Sequence, residues 1–205
     1  MTRLGRRAGA AIVMLLGAGL TAAGAARLAG GGVEAFGDQR VDGSTSVGTS
    51  ALPAAGGVHQ PSPPLELRGP DGLRVTVRPV GADRDGVLDL PEEADVAGWW
   101  ALGAPVGAAR GTTLLAGHVD TPSGPAPFAA LHDLPRGTRV EIRAANGRTY
   151  AYRIVSRRLH AQGALPTDLF TADGAHRLVL VTCGGRWDPD EGRYDGNLVL
   201  QATPA

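Results

Sequence analysis

A chain of 205 residues has room for one domain of ordinary size and an appendage, not for two full domains. Its 20 basic side chains balance its 20 acidic ones, which argues against a nucleic-acid binder or an acidic tail. With 31 Gly and 15 Pro but only 4% aromatics, the composition favours many turns and a core of Val, Leu and Ala, an all-β chain rather than a helical one.

At the N-terminus Arg3, Arg6 and Arg7 precede an uncharged run from Ala8 to Ala26. At about 1.5 Å per residue in a helix, this run spans close to the ~30 Å hydrocarbon layer, and the basic flank predicts an N-in orientation. Residues 1–29 are therefore expected to form a cytoplasmic basic tip and a single-pass signal anchor. Ala23-Gly24-Ala25 also resembles a signal-peptidase site, so a cleaved signal peptide is the alternative. Residues 30–64 lack any apolar period and are rich in Gly, Ser and Pro, the composition of a flexible linker.

A folded domain is expected over residues 65–205. Leu73, Val75 and Val77 alternate before Pro79 and Gly81 and predict a strand. Strands are likewise expected over Thr112–Ala116, Thr138–Ile142, Thr149–Val155, Arg177–Thr182 and Asn197–Ala202, each apolar or β-branched and bounded by turn residues. Asn146-Gly147 predicts a tight hairpin through positive φ values. Phe128–Leu134 and Pro166–Phe170 have room for a helical turn or two. The fold class expected is mainly β, a small barrel or sandwich of about seven or eight strands.

Cys183 is the only cysteine, so no intrachain disulfide can form, and the thiol is either a buried spectator or a reactive group. It stands where a hydrophobic strand runs into Gly184-Gly185, which allows a substrate to approach the backbone closely. A thiol needs a partner that activates it or protonates the leaving group. His118 follows the strand Thr112–Ala116 as Gly117-His118-Val119-Asp120, also at a strand end beside glycine. His59 falls in the linker, and His132, His160 and His176 lie in polar surroundings without such a signal. The spacings of His and Cys do not fit a zinc site, and there is no phosphate-binding glycine motif or serine elbow. No metal or cofactor is expected.

The stretches LRVTVRPVGADRDGVLDLPEEADVAGWW, TTLLAGHVDTPSGPAPFAALHDLPRGTRVEI, RLVLVTCGGRWD and GRYDGNLVLQA together resemble the sortases, most of all the class F sortases of actinobacteria. The resemblance implies an eight-stranded sortase β-barrel with short helices, carrying Cys183 as nucleophile and His118 as its catalytic partner. It implies a membrane-bound cysteine transpeptidase with its catalytic domain outside the cytoplasmic membrane. Such an enzyme cleaves an LPXTG-like sorting signal between Thr and Gly through a thioester. The expected partners are surface-protein substrates and an amine acceptor of the cell wall or a pilin, not nucleic acid. An exported cysteine hydrolase of peptide or cell-wall bonds is the alternative, differing only in the acceptor.

Sortases place an oxyanion-stabilising arginine at the start of the last strand, and here that register holds Asn197. Arg193, four residues upstream, and Arg186 are the neighbouring candidates, while Asn197 has an amide that can donate by itself. Asp120 is expected either to orient His118 or its loop or to cap the following turn. Thr182 is a supporting residue beside the nucleophile. Trp99, Trp100 and Trp187 are expected to pack in the core or the wall of a groove.

Overall fold

The computed structural model describes residues 60–83 and 87–205; the expected anchor and the linker as far as residue 59 lie outside them. In chain order the strands are β1 (Pro64–Arg68), β2 (Arg74–Val80), β3 (Val96–Trp100), β4 (Thr112–Ala116), β5 (Asp120–Thr121), β6 (Gly124–Pro125), β7 (Arg139–Ala144), β8 (Thr149–Ala161), β9 (Arg177–Asp188) and β10 (Arg193–Pro204). Eight of them close a barrel in the order β1-β2-β3-β4-β9-β10-β8-β7, and β5 with β6 forms a separate two-stranded ribbon. The pairs β2–β3 and β4–β9 are parallel and the rest antiparallel. Two short 3-10 helices, Pro127–His132 and Thr167–Phe170, stand where helical turns were expected.

The sequence pattern explains the layering. β7 alternates exposed and buried residues, as a strand with one covered face must. β4 is buried throughout, and so is β9 from Leu178 to Gly184, because that part of the sheet is covered on both faces. The inner layer fills the barrel with Leu67, Val75, Leu115, Ile142, Leu180 and Leu200 among others. An outer layer holds Leu114, Val179, Val181, Cys183 and Val199 beneath Leu88 of the β2–β3 connection and Leu165 and Leu169 of the β8–β9 connection.

Several expectations shift. The domain is engaged earlier than residue 65: Ser62 is buried and its N–H donates to the Val106 carbonyl at 3.0 Å. β3 carries no sequence alternation because it too is buried on both sides, and Gly98 at its centre leaves no room for a Cβ, which would come within 2.8 Å of Val80. β8, β9 and β10 outrun their apolar segments because cross-strand pairing, as in Arg193 with Asp188, holds polar residues in strand. At the β7–β8 hairpin only Gly147 has a positive φ, 77°. Asn146 acts through its side chain instead, donating to the Gln60 carbonyl and accepting from Arg148 N–H.

On the outer face of β1, Glu66 is buried and bonded to Arg68 at 2.7 Å, Arg74 at 2.8 Å and Arg143 at 3.2 Å. The Arg68 hydrogen bond above all, with help from Arg143 and Arg74, holds its carboxyl down at about 2. A carboxyl whose pKa is depressed on folding stabilises the fold above its unfolded value and ceases to do so as pH falls through the folded one. Thermal melts taken from pH 6 down to pH 2 should therefore show the wild type losing stability below about pH 4.5 more steeply than Glu66→Gln; parallel curves would remove this role from Glu66.

Candidate functional site

β4 and β9 run side by side with Ala116 opposite Val181. The pairing continues past the end of β4: Gly117 N–H donates to the Val181 carbonyl at 3.1 Å, and the buried Thr182 hydroxyl donates to the Gly117 carbonyl at 2.8 Å. Thr182 thus supports the site by tying the two strand ends together. Gly117 is required there, since a Cβ would lie 2.9 Å from the Phe128 ring. His118 consequently leaves the end of β4 alongside the middle of β9, where Cys183 stands as that strand continues to Asp188.

Cys183 is 5% exposed and belongs to the outer apolar layer. Burial first, and the Asp120 carboxylate second, push its thiol up to about 11, so at neutral pH the resting group is the thiol. Its carbonyl points to the same side as that of Val181, two residues earlier, but β4 has already ended. His132 takes the missing strand's place, with Nε2 3.1 Å from the Cys183 oxygen.

The half-buried His118 ring places Nε2 2.8 Å from the Pro91 carbonyl. A carbonyl only accepts, so Nε2 carries the proton and Nδ1 is the nitrogen that exchanges one. Asp120 is bonded to Tyr194 rather than to this ring: the Tyr194 hydroxyl donates to Oδ2 at 2.5 Å. That bond, followed by burial and nearby negative charge, pushes the phenol up to about 12. It also clamps the loop after His118 onto β10.

Asn197 lies directly across from Cys183 on β10, and His160 lies directly across from Asn197 on β8. Opposed residues of antiparallel strands share a face, so thiol, carboxamide and imidazole form one row. Since the Cys183 backbone groups point toward β4, the Cys183–Asn197 pair is of the non-hydrogen-bonded kind, whose side chains approach most closely. Asn197 is 1% exposed, and its Nδ2 is buried with no hydrogen-bond partner, an arrangement that costs about 1–3 kcal/mol while it lasts.

Arg193 is turned elsewhere. Its Nε donates to Glu191 at 2.5 Å and its Nη1 to Gln162 at 3.0 Å, and it lines a surface recess of about 230 Å³ with Asp188 and Asp195. Arg186 is exposed, with its backbone N–H on Asp195. Gly185, at φ 86°, makes that turn possible, since a Cβ there would collide with the Asp195 carboxylate. Trp99 and Trp100 pack in the inner and outer layers. Trp187, expected in the core or a wall, is 46% exposed and stands edge to face against Tyr194, 5.2 Å between ring centroids.

Sequence reasoning passed over His132, which tertiary packing sets on the Cys183 carbonyl, and His160, which strand pairing sets across from Asn197. A reading that extended β8 and β10 into register would have exposed His160; no local signal marks His132. His176 is buried away from this row, bonded to the Tyr152 hydroxyl at 2.8 Å.

Residues 73–205 match the family model described as Sortase domain. No curated protein sequence matches the chain. Among solved structures, sortase C1 of Streptococcus agalactiae in complex with MTSET superposes with a TM-score of 0.55 at 17% identity, over 68% of this chain and 67% of that one. A lid mutant of sortase A from Corynebacterium diphtheriae gives 0.54 at 13% identity, over 71% and 72%. Sortase C-1 of Actinomyces oris gives 0.51 at 12%, over 68% and 72%. At these identities the superpositions speak for the fold.

Alkylation of Cys183 by iodoacetamide should rise with pH toward a midpoint near 11, and Asp120→Asn should lower that midpoint by removing a negative charge. A midpoint at or below the ordinary thiol value of about 8.5 would mean that the thiol is not held in the apolar layer.

Proposed function

Residues 73–205 make this chain a member of the sortase family, and on that footing we propose that it is a class F type cysteine transpeptidase. Its substrate would be an LPXTG-like signal, cut between Thr and Gly and transferred to an amine of the cell wall or a pilin. The observation that carries the reading is the β4–β9 pairing, which sets His118, just past the end of β4, alongside the stretch of β9 that holds Cys183.

In this mechanism the Cys183 proton passes to His118 Nδ1 as sulfur attacks the threonyl carbonyl, avoiding a standing thiolate in an apolar layer. The tetrahedral oxyanion needs a donor, and Asn197 is the residue proposed: it is in register with the nucleophile and its amide N–H is unspent. Arg193 is the weaker candidate because Glu191 and Gln162 already occupy its guanidinium. The intermediate collapses, His118 gives its proton to the departing glycine nitrogen, and a thioester remains on Cys183. His118 takes a proton from the acceptor ammonium, the resulting amine attacks that thioester, and the next proton goes to the departing sulfur, which restores the thiol. The uncharged run Ala8–Ala26 supports a single-pass location in the cytoplasmic membrane, N-in, with the catalytic domain outside.

Mass spectrometry of the protein with an LPXTG peptide and triglycine tests the reading. Cleavage after Thr with transfer to the amine is expected, abolished by Cys183→Ala and His118→Ala. Asn197→Ala should lower turnover by about 10²–10³, well beyond the effect of Arg193→Ala; the reverse order would return the oxyanion to arginine. Transfer to water alone would make the protein a hydrolase.

A further inference from the structure

The Asp120 carboxylate is out of place if the site only has to activate a thiol. It sits close enough to Cys183 to make the thiolate harder to form, and it does not brace the His118 ring. Yet it is carefully held: the Tyr194 hydroxyl fixes Oδ2 at 2.5 Å, while the residue remains exposed. Tyr194 packs on the outer apolar layer with Cys183. A register shift between Tyr194 and Gly196 interrupts the pairing of β10 with β9 beside it. Beside it Trp187, four residues beyond the nucleophile, leaves nearly half its surface open. An exposed carboxylate with free lone pairs and an exposed indole, joined through one tyrosine, is a pairing suited to a cation.

We propose that Asp120, Tyr194 and Trp187 form the subsite that receives the acceptor as a primary ammonium group. The inference rests on the transpeptidase reading and deepens it by assigning the second substrate a place. Asp120 binds the charge, Trp187 flanks the adjoining chain, and Tyr194 fixes the carboxylate between the His118 loop and the β9–β10 hairpin. The ammonium gives one proton to His118 Nδ1, vacant once the leaving glycine has been protonated. The resulting amine attacks the thioester carbon, its second proton goes to the departing sulfur, and His118 releases the proton it took to solvent, so the thiol and the neutral imidazole are restored and the amide bond formed. A negative charge that hinders the first half-reaction then serves the second.

Asp120→Asn tests this closely, because the amide oxygen still accepts from Tyr194 and only the charge is lost. The full-length protein, wild type, Asp120→Asn and Trp187→Ala, is given an LPXTG peptide with equal nucleophilic competition from triglycine and hydroxylamine near pH 7.5. The triglycine amino group is mostly an ammonium there and hydroxylamine is neutral. The ratio of the two transfer products does not depend on how fast the acyl-enzyme forms. It should fall roughly three- to tenfold in Asp120→Asn and by a smaller factor in Trp187→Ala. An acyl-enzyme whose partition ratio is the same in all three proteins overturns the subsite and leaves the transpeptidase standing. Failure of the wild type to form an acyl-enzyme with a varied set of sorting peptides overturns both.

Discussion

The site depends on how the parallel pair β4–β9 ends. Strand pairing alone stops at Ala116 and Val181, two positions short of His118 on one strand and two short of Cys183 on the other. The Gly117 N–H and the Thr182 hydroxyl carry the contact across that gap, and both bonds require a glycine slim enough to lie against Phe128. A methyl group at Gly117 would have to displace a fully packed ring, an overpacking penalty of about 1–3 kcal/mol delivered where the two side chains diverge. The 3-10 helix that supplies Phe128 to this contact also supplies His132 to the Cys183 carbonyl. One short segment therefore packs against Gly117, next to His118, and bonds to the Cys183 backbone.

The polar groups around the nucleophile are unevenly satisfied, and the pattern is informative. Thr182, His118 and His132 each have a partner of good geometry. The buried Asn197 amide has none, and it occupies the position in register with the thiol. Buried donors in native proteins are nearly always paired, so an orphan at this place fits a group that acquires its acceptor during the reaction. Arginine in the same register would bring a permanent charge into a layer made of Val179, Val181 and Val199, whereas a carboxamide brings a dipole.

Much of this was legible in the sequence. The runs TTLLA and RLVLVT gave away their strands because both are continuous apolar segments, and the glycines after them marked where chemistry could emerge. β3 was hidden because VAGWW is buried on both faces and carries no alternation. The extents of β8, β9 and β10 were hidden because their ends are polar and are kept in strand by neighbours rather than by composition. The same extension concealed His160, whose relation to Asn197 exists only across the sheet. Trp187 was misjudged since a large aromatic ring is usually covered, and nothing in its neighbourhood of Arg, Asp and Pro announced an open hairpin. Asn197 was legible as a residue of the last strand, but its place opposite Cys183, like that of His160, exists only across the sheet.

The parallel arrangement also sets an order in time. β9 and β10 come last in the chain, and His118 precedes Cys183 by the whole of β5 to β8. A chain emerging from its N-terminus would present His118 long before anything could pair with β4. Contacts of such sequence separation form slowly, because the loop must close before they are rewarded. Until they form, the Cys183 thiol is an ordinary, solvent-exposed one with a pKa near 8.5, more open to oxidants than the buried thiol of the finished barrel. Closing the barrel thus shields the sulfur in the same step that brings β9 alongside β4.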